Sequence, residues 1–275
     1  MTTACARSLI ADSGLPLIEA RALLTQTLGV NRAWLIAHDT DPLPADQAQR
    51  FESLAARRRD GEPVAYLLGE REFMGHRLQV SPAVLIPRPE TELLVETALA
   101  CVHEVLAPVL LDLGTGSGAI AISIALARPD AQVYATDLSN DALAVASTNV
   151  QLLQAHVTLA QGSWYEALNL AGSPALYDLI VSNPPYISRD DRHLSQGDLR
   201  FEPQQALTDF DDGLQALRTI VAGAPSRLKP GGCIWLEHGW DQAQAVRELL
   251  NAAGFHRIES RQDLAGIERI SGGYL

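Results

Sequence analysis

The chain has 275 residues, 47 % of them hydrophobic, and a formal net charge of −12. That length fits one large domain or a large domain with a small one, and the negative balance argues against a broad phosphate-binding surface, which needs clustered Lys and Arg. Cys5, Cys101 and Cys233 form no C-x-x-C pair and the seven histidines show no ligand spacing, so neither a disulfide framework nor a metal is expected.

In chain order, Met1 to Pro16 lacks a basic start followed by an apolar core, and no later run of roughly 18 apolar residues suggests a membrane span. A cytoplasmic protein with no membrane partner is expected. Residues 1–70 read as several short helices, a helical domain suited to docking a substrate. Apolar positions recur at helical spacing in Ala20, Leu23, Leu24 and Leu28 and again in Phe51, Leu54 and Ala55, punctuated by Pro16, Pro42 and Pro44. Arg57-Arg58-Arg59 reads first as a helix end favoured by the dipole, with docking onto RNA or an acidic partner as the alternative.

Residues 71–88 change to short apolar pieces, Glu72-Phe73-Met74 and Leu78-Gln79-Val80, around Gly75-His76, which predicts a β-hairpin linker. Pro89 suits a helix start, and Glu90 and Glu92 suit its positive end, with the helix running to about Val105. Arg88 and Glu92 are candidates for lining a site at that helix start.

Residues 89–275 form the main domain, and after Pro108 strands and helices alternate, the pattern of a parallel sheet with crossover helices. The predicted order is strand Val109–Leu113, turn Gly114-Thr115-Gly116-Ser117-Gly118, helix Ala119–Ala127, strand Gln132–Thr136, helix Asn140–Leu153 and strand Val157–Gln161. The second half has a strand Tyr177–Val181, a long helix from about Gly213 to Leu228 and a stop at Pro230-Gly231-Gly232. Strand Cys233–Glu237, helix Gln242–Ala253 and a closing pair of strands, Arg257–Gln262 and Glu268–Ser271, complete it.

Val181-Ser182-Asn183-Pro184-Pro185-Tyr186 stands at the end of one such strand. Proline cannot donate to a ladder and restricts the residue before it, so Asn-Pro-Pro ends the strand in a stiff loop. The Asn183 side chain and the Pro184 carbonyl offer acceptors that can grip a planar NH2 group, with Tyr186 against its flat face. A bare turn is the alternative reading of these residues.

The Gly114 turn lets backbone approach a ligand closely, but its G-x-G-x-G spacing departs from the dinucleotide signature. Asp137 lies nineteen residues past Gly118, at a strand end where a carboxylate can accept both hydroxyls of a ribose. A nucleoside with no phosphate to cradle suits an acidic chain, and a sulfonium nucleoside suits it better than a diphosphate.

Asp112-Leu-Gly-Thr-Gly-Ser-Gly118, Asp137 and Asn183-Pro-Pro-Tyr186 together resemble the class I S-adenosylmethionine-dependent methyltransferases that modify planar NH2 groups. Gly61-Glu-Pro-Val-Ala-Tyr66, Leu85-Ile-Pro-Arg-Pro-Glu-Thr-Glu92, Gln196-Gly-Asp-Leu-Arg-Phe-Glu-Pro203 and Leu236-Glu-His-Gly239 narrow the likeness. They are similar to the PrmC/HemK-type glutamine-N5 methyltransferases of peptide chain release factors, over nearly the whole chain.

The resemblance implies a Rossmann-like, mostly parallel seven-stranded α/β sheet preceded by the helical domain, with S-adenosyl-L-methionine as cofactor. By position it implies that Gly114, Thr115, Gly116, Ser117 and Gly118 wrap the methionine end. It places Asp137 on the ribose, Trp164 by the adenine and Asn183 on both cofactor and substrate. Pro184, Pro185 and Tyr186 complete the clamp on the glutamine of a Gly-Gly-Gln loop in class 1 release factors, with no direct nucleic-acid partner. Rival readings are an adenine-N6 or guanine-N2 nucleic-acid methyltransferase and the sister enzyme for a large-subunit ribosomal protein. Outside this class stand an NAD-dependent oxidoreductase, for which no His-Asp or Tyr-x-x-x-Lys pair is present, and a cofactor sensor. His238 reads as structural.

Overall fold

A computed structural model describes residues 4–169 and 173–275. The chain separates into two compact units, one ending at Glu70 and the other running from Arg71 to Leu275. Among its described residues the first holds five helices: α1 (Ala6–Asp12), α2 (Leu17–Leu28), α3 (Arg32–Ala37), α4 (Ala45–Arg59) and α5 (Val64–Leu68). Ala20, Leu23, Leu24, Phe51 and Ala55 bury at one core, as their spacing on one helix face requires. The arginine run ends α4, and each member has a partner inside this unit. Arg57 pairs with Glu62, Arg58 with Glu19 at 2.7 Å, and Arg59 donates to the Ser13 carbonyl at 2.6 Å.

The hairpin consists of β1 (Glu70–Phe73) and β2 (His76–Gln79), turning through Met74 and Gly75, both at positive φ. A 3₁₀ turn, Pro89–Thr91, leads into α6 (Glu92–Cys101), which stops a turn short of the expected end. The alternating half then unfolds as β3 (Val109–Leu113), α7 (Ala119–Ala127), β4 (Gln132–Asp137), α8 (Asn140–Leu153), β5 (Val157–Gln161) and β6 (Tyr177–Ser182). After a short helix α9 (Gln204–Leu207) come α10 (Gln215–Gly223), β7 (Leu228–Glu237), α11 (Ala243–Ala252), β8 (His256–Gln262) and β9 (Glu268–Tyr274).

Two boundaries in the second half differ from expectation. The helix predicted to reach Leu228 ends at Gly223 and passes into a 3₁₀ turn containing Pro225, which lacks the N–H to continue an α-helical ladder. Pro230-Gly231-Gly232 does not precede β7 but lies within it. The strand starts at Leu228, opposite Tyr177, and shifts register before Cys233 pairs with Leu179. The irregularity absorbs the proline and glycines.

Among the described residues the sheet has seven strands in the order β5-β4-β3-β6-β7-β9-β8, parallel except where β9 runs antiparallel to β7 and β8. Successive strand residues feed opposite faces. Leu110, Leu179, Val181, Cys233 and Trp235 pack with Leu94 and Ala98 of α6 and Ile120 and Ile124 of α7. Leu111, Leu113, Ile180, Ile234 and Leu236 pack instead with Leu217, Ile220 and Val221 of α10 and Val246 and Leu250 of α11. Burial on both faces is why these strands read as continuous apolar runs. Among the described residues no helix is long and apolar enough to cross a membrane.

Candidate active site

The carboxyl ends of β3, β4 and β6 open on one cleft of about 1060 Å³, counting its mouth. Strand order reverses direction between β3 and β6, so the helices that follow them leave on opposite faces and the crevice between is unfilled. Gly114, Thr115, Gly116 and Ser117 line it from the end of β3, Asp137 from β4, Trp164 from beyond β5, and Asn183 and Pro185 from β6. Arg88 and Thr91 line it from the turn before α6.

The glycine turn is built by its backbone. Gly114 and Gly116 have φ of +73° and +57°, a region that side chains other than glycine's enter at a cost. The N–H groups of Gly114 and Thr115 both donate to the Thr136 carbonyl at 2.9 Å, tying the ends of β3 and β4 together. Asp137 closes the same junction: Oδ2 accepts from the Gly116 N–H at 2.9 Å and Oδ1 from the Ser139 N–H at 2.9 Å. Burial raises this carboxyl above its ordinary range, and the two backbone donors oppose that shift. Trp164 takes φ of +46° and brings its indole so close to Gly114 that a Cβ there would stand 3.4 Å from the ring. Beneath the turn, the fully buried Asn149 of α8 binds both the carbonyl and the N–H of Gln79 and the carbonyl of Ser117.

The parallel register sets Ser182 of β6 beside Leu236 of β7, so the next residues, Asn183 and Glu237, emerge side by side. Asn183 Nδ2 donates to Thr91 Oγ1 at 3.1 Å, and Thr91 Oγ1 donates to Glu237 Oε2 at 2.7 Å. The Tyr186 hydroxyl donates to Glu237 Oε1 at 3.2 Å. Asn183 Oδ1 carries no hydrogen bond among the described residues. Glu237 is 2 % exposed, and its burial pushes its carboxyl up to about 7 against the donors that steady it. Burial and the nearby Glu237 carboxylate push the Tyr186 phenol far above its ordinary value, so it stays a donor.

Four of the residues named from sequence fall outside the cleft wall. Glu92 turns to the hairpin, where Oε1 accepts from the Met74 N–H at 2.9 Å, because one residue along a helix start changes the face. Its neighbour Thr91 lines the cleft in the place expected of Glu92. Gly118 caps α7 at φ of +85°, with Ile122 and Ala146 against it. Pro184 is buried in its side chain, and the partly buried Tyr186 packs against the core that holds Ile234 and Leu236. Arg88 does line the cleft and forms an ion pair with the fully buried Glu202, whose other oxygen accepts from the Ile86 N–H at 3.1 Å. His238 is buried away from the cleft, with Nδ1 toward the Gly239 carbonyl and Nε2 toward Ser271. Thr91 and Glu237 were not legible as site residues, since they join Asn183 only once β6 and β7 are adjacent. A carboxylate closing an apolar strand was the one available signal.

A seven-stranded sheet of this order, with a glycine turn after one strand and an acid closing the next, is the class I methyltransferase architecture. Solved structures agree on the fold: a methyltransferase from Pyrococcus furiosus matches at TM-score 0.50 and 18 % identity, covering 72 % of this chain and 87 % of that one. The 16S rRNA N2 methyltransferase of T. thermophilus, solved with AdoMet and guanosine, matches at TM-score 0.54 and 18 % identity, covering 74 % and 49 %. The methyltransferase small domain model matches residues 89–198, and the PrmC N-terminal domain model matches residues 3–69. The release factor glutamine methyltransferase of Bordetella pertussis is 62 % identical over 269 residues, 98 % of each chain. That of Escherichia coli K12 is 44 % identical over 259 residues, covering 94 % of this chain and 92 % of its own. The chain belongs to the release factor glutamine methyltransferase family.

Proposed function

We propose that the chain transfers the methyl group of S-adenosyl-L-methionine to the side-chain nitrogen, N5, of the glutamine in the Gly-Gly-Gln loop of class 1 peptide chain release factors. The observation that carries this reading is the state of Asn183. Its Nδ2 is committed to Thr91, which leaves Oδ1 as an acceptor at the edge of the cleft. The names of the close relatives supply the substrate class.

The cleft suits the cofactor. Gly114 and Gly116 keep side chains out of its wall, and Trp164 offers a flat apolar face. Each Asp137 oxygen holds one backbone N–H and retains capacity for a ribose hydroxyl. Among the described lining residues the only Lys or Arg is Arg88, already paired with Glu202, so the wall favours a sulfonium over a diphosphate. When bound, the cofactor supplies an electrophilic methyl group on that sulfonium.

A glutamine amide is a poor nucleophile because its nitrogen lone pair is delocalised into the carbonyl. Asn183 Oδ1 and the Pro184 carbonyl accept the two NH2 hydrogens and fix the nitrogen's direction. The Pro-Pro dipeptide holds both acceptors rigid, and Tyr186 braces the loop from behind through Glu237. As the nitrogen is alkylated its N–H groups become more acidic, so the acceptors hold the transition state more tightly than the ground state, and one of the two protons is released to solvent to leave the neutral N-methyl amide. Alignment of the two reactants contributes up to roughly 7–11 kcal/mol where orientation is complete.

Incubation with isotopically labelled S-adenosylmethionine and a class 1 release factor tests the reading. Mass spectrometry is expected to place one methyl on the Gly-Gly-Gln glutamine, and Asn183→Ala to abolish the label. Label in RNA, DNA or a ribosomal protein in its place overturns the assignment.

A further inference from the structure

The bonds linking Asn183, Thr91, Glu237 and Tyr186 have a direction, and the direction is set at one end. Thr91 is 4 % exposed and Glu237 2 % exposed, so water does not complete their hydrogen bonding. A threonine hydroxyl has one proton to give. With Glu237 ionised, that proton goes to Oε2, and the Thr91 oxygen can serve Asn183 only as an acceptor. The amide must then present Nδ2 to Thr91 and keep Oδ1 for the cleft. With a proton on Oε2 the sequence can run backwards, with Glu237 donating to Thr91 and Thr91 donating to Oδ1. The acceptor needed by a substrate NH2 is then occupied.

We infer that Glu237, acting through Thr91, is a positioning residue that selects which end of the Asn183 carboxamide faces the methyl-accepting nitrogen. The inference rests on the function proposed above, and it assigns a role to Glu237, which does not line the cleft, through Thr91, which does. The surroundings of Glu237 fit this use. Tyr186 from the loop after β6 and Thr91 from the turn before α6 donate to its two oxygens. Arg269 of β9, itself bonded to Asp263 at 2.9 Å, favours the ionised form, and Glu90 opposes it. His238, the next residue in the chain, is turned away onto Ser271. Burial raises the Glu237 carboxyl to about 7, so the switch in direction falls near neutral pH.

The test uses the full chain, a class 1 release factor and the variants Thr91→Val, Thr91→Ser and Glu237→Gln. Thr91→Val is expected to lower kcat by about tenfold or more while the KM for S-adenosylmethionine stays within about twofold, since valine keeps the shape of the cleft wall and only the oriented hydrogen bond is lost. Thr91→Ser restores the hydroxyl and is expected to recover kcat to within about threefold of the parent. The parent's kcat is expected to rise with pH through about 7, and Glu237→Gln to remove that limb. In 15N-labelled protein the Asn183 side-chain signal, assigned by its loss in Asn183→Ala, is expected to shift in Thr91→Val and to titrate in the parent but not in Glu237→Gln. Parent-like kcat, pH profile and Asn183 signal in Thr91→Val and Glu237→Gln overturn the inference while release factor methylation stands. If the parent leaves the release factor unlabelled yet the Asn183 signal responds as described, the functional reading falls and the orienting role survives.

Discussion

Asp137 and Gly116 are joined by a 2.9 Å hydrogen bond from the glycine N–H to Oδ2, so the acid that ends β4 also shapes the turn that ends β3. Its second oxygen is held in the same way by the Ser139 N–H. The carboxylate therefore reaches the cleft already oriented, with no rotamer freedom left to lose on binding a diol.

Replacing it separates ligand binding from folding. Asp137→Ala is expected to weaken S-adenosylhomocysteine binding by roughly 10–100-fold, the loss of hydrogen bonds to a charged acceptor. Titration calorimetry measures this directly. Unchanged affinity would remove Asp137 from the cofactor site.

Much of this junction was legible in the chain itself. β3, α7, α8 and β5 stand where the sequence placed them, because β3 and α7 are apolar runs bounded by Gly and Pro, and Ser139 caps the start of α8. The start of β7 was not, since Lys229-Pro230-Gly231-Gly232 has the composition of a turn. Only the partners reveal the strand: Leu228 beside Tyr177, and a pair of bonds exchanged between Leu275 and the two glycines. The same limit hid Glu237. Its neighbour Asn183 is distant in sequence, and strand register, which local pattern does not encode, brings them together.

Gly272 shows how register also constrains packing. It lies opposite Trp235 in the β7–β9 ladder, and a Cβ there would stand 2.3 Å from the Ile234 carbonyl oxygen and 2.4 Å from the Trp235 ring. The carbonyl is backbone and Trp235 is fully buried, so neither can yield. Gly272→Ala is expected to destabilise the fold by about 3 kcal/mol, the upper range for overpacking a core. Urea denaturation gives the value, and a loss below about 1 kcal/mol would show that β9 can slide outward.

The Arg88–Glu202 pair ties the cleft wall to the segment after the Asn-Pro-Pro-Tyr loop. Glu202 is wholly buried in its side chain, while Arg88 is 31 % exposed. Removal of Arg88 leaves an uncompensated buried carboxylate, whereas removal of Glu202 leaves a guanidinium that can turn to water. Arg88→Ala is therefore expected to cost about 3 kcal/mol, more than Glu202→Gln, and the double variant less than their sum. Denaturation of the three proteins closes the cycle. Strict additivity would mean that the two side chains stabilise the fold independently.

Asp112 fixes the sign of one pH effect. Its side chain is 1 % exposed, Oδ2 accepts from Thr115 Oγ1 at 2.7 Å, and Oδ1 has no partner among the described residues. Burial raises this carboxyl from an ordinary 3.8 to about 7, the Thr115 hydroxyl opposing. At pH 5 the folded chain holds a proton that the unfolded chain has released. The resulting stability is complete below the unfolded value and is lost as pH rises through about 7. Asp112→Asn keeps an acceptor for Thr115 and cannot ionise. It is expected to be more stable than the parent by roughly 1–3 kcal/mol at pH 8, with the advantage vanishing toward pH 4. Glu237 shifts in the same direction, so the variant retains part of the parent's slope. Thermal unfolding of both proteins across this range measures the difference, and parallel stability curves would show that Asp112 ionises as freely in the fold as outside it.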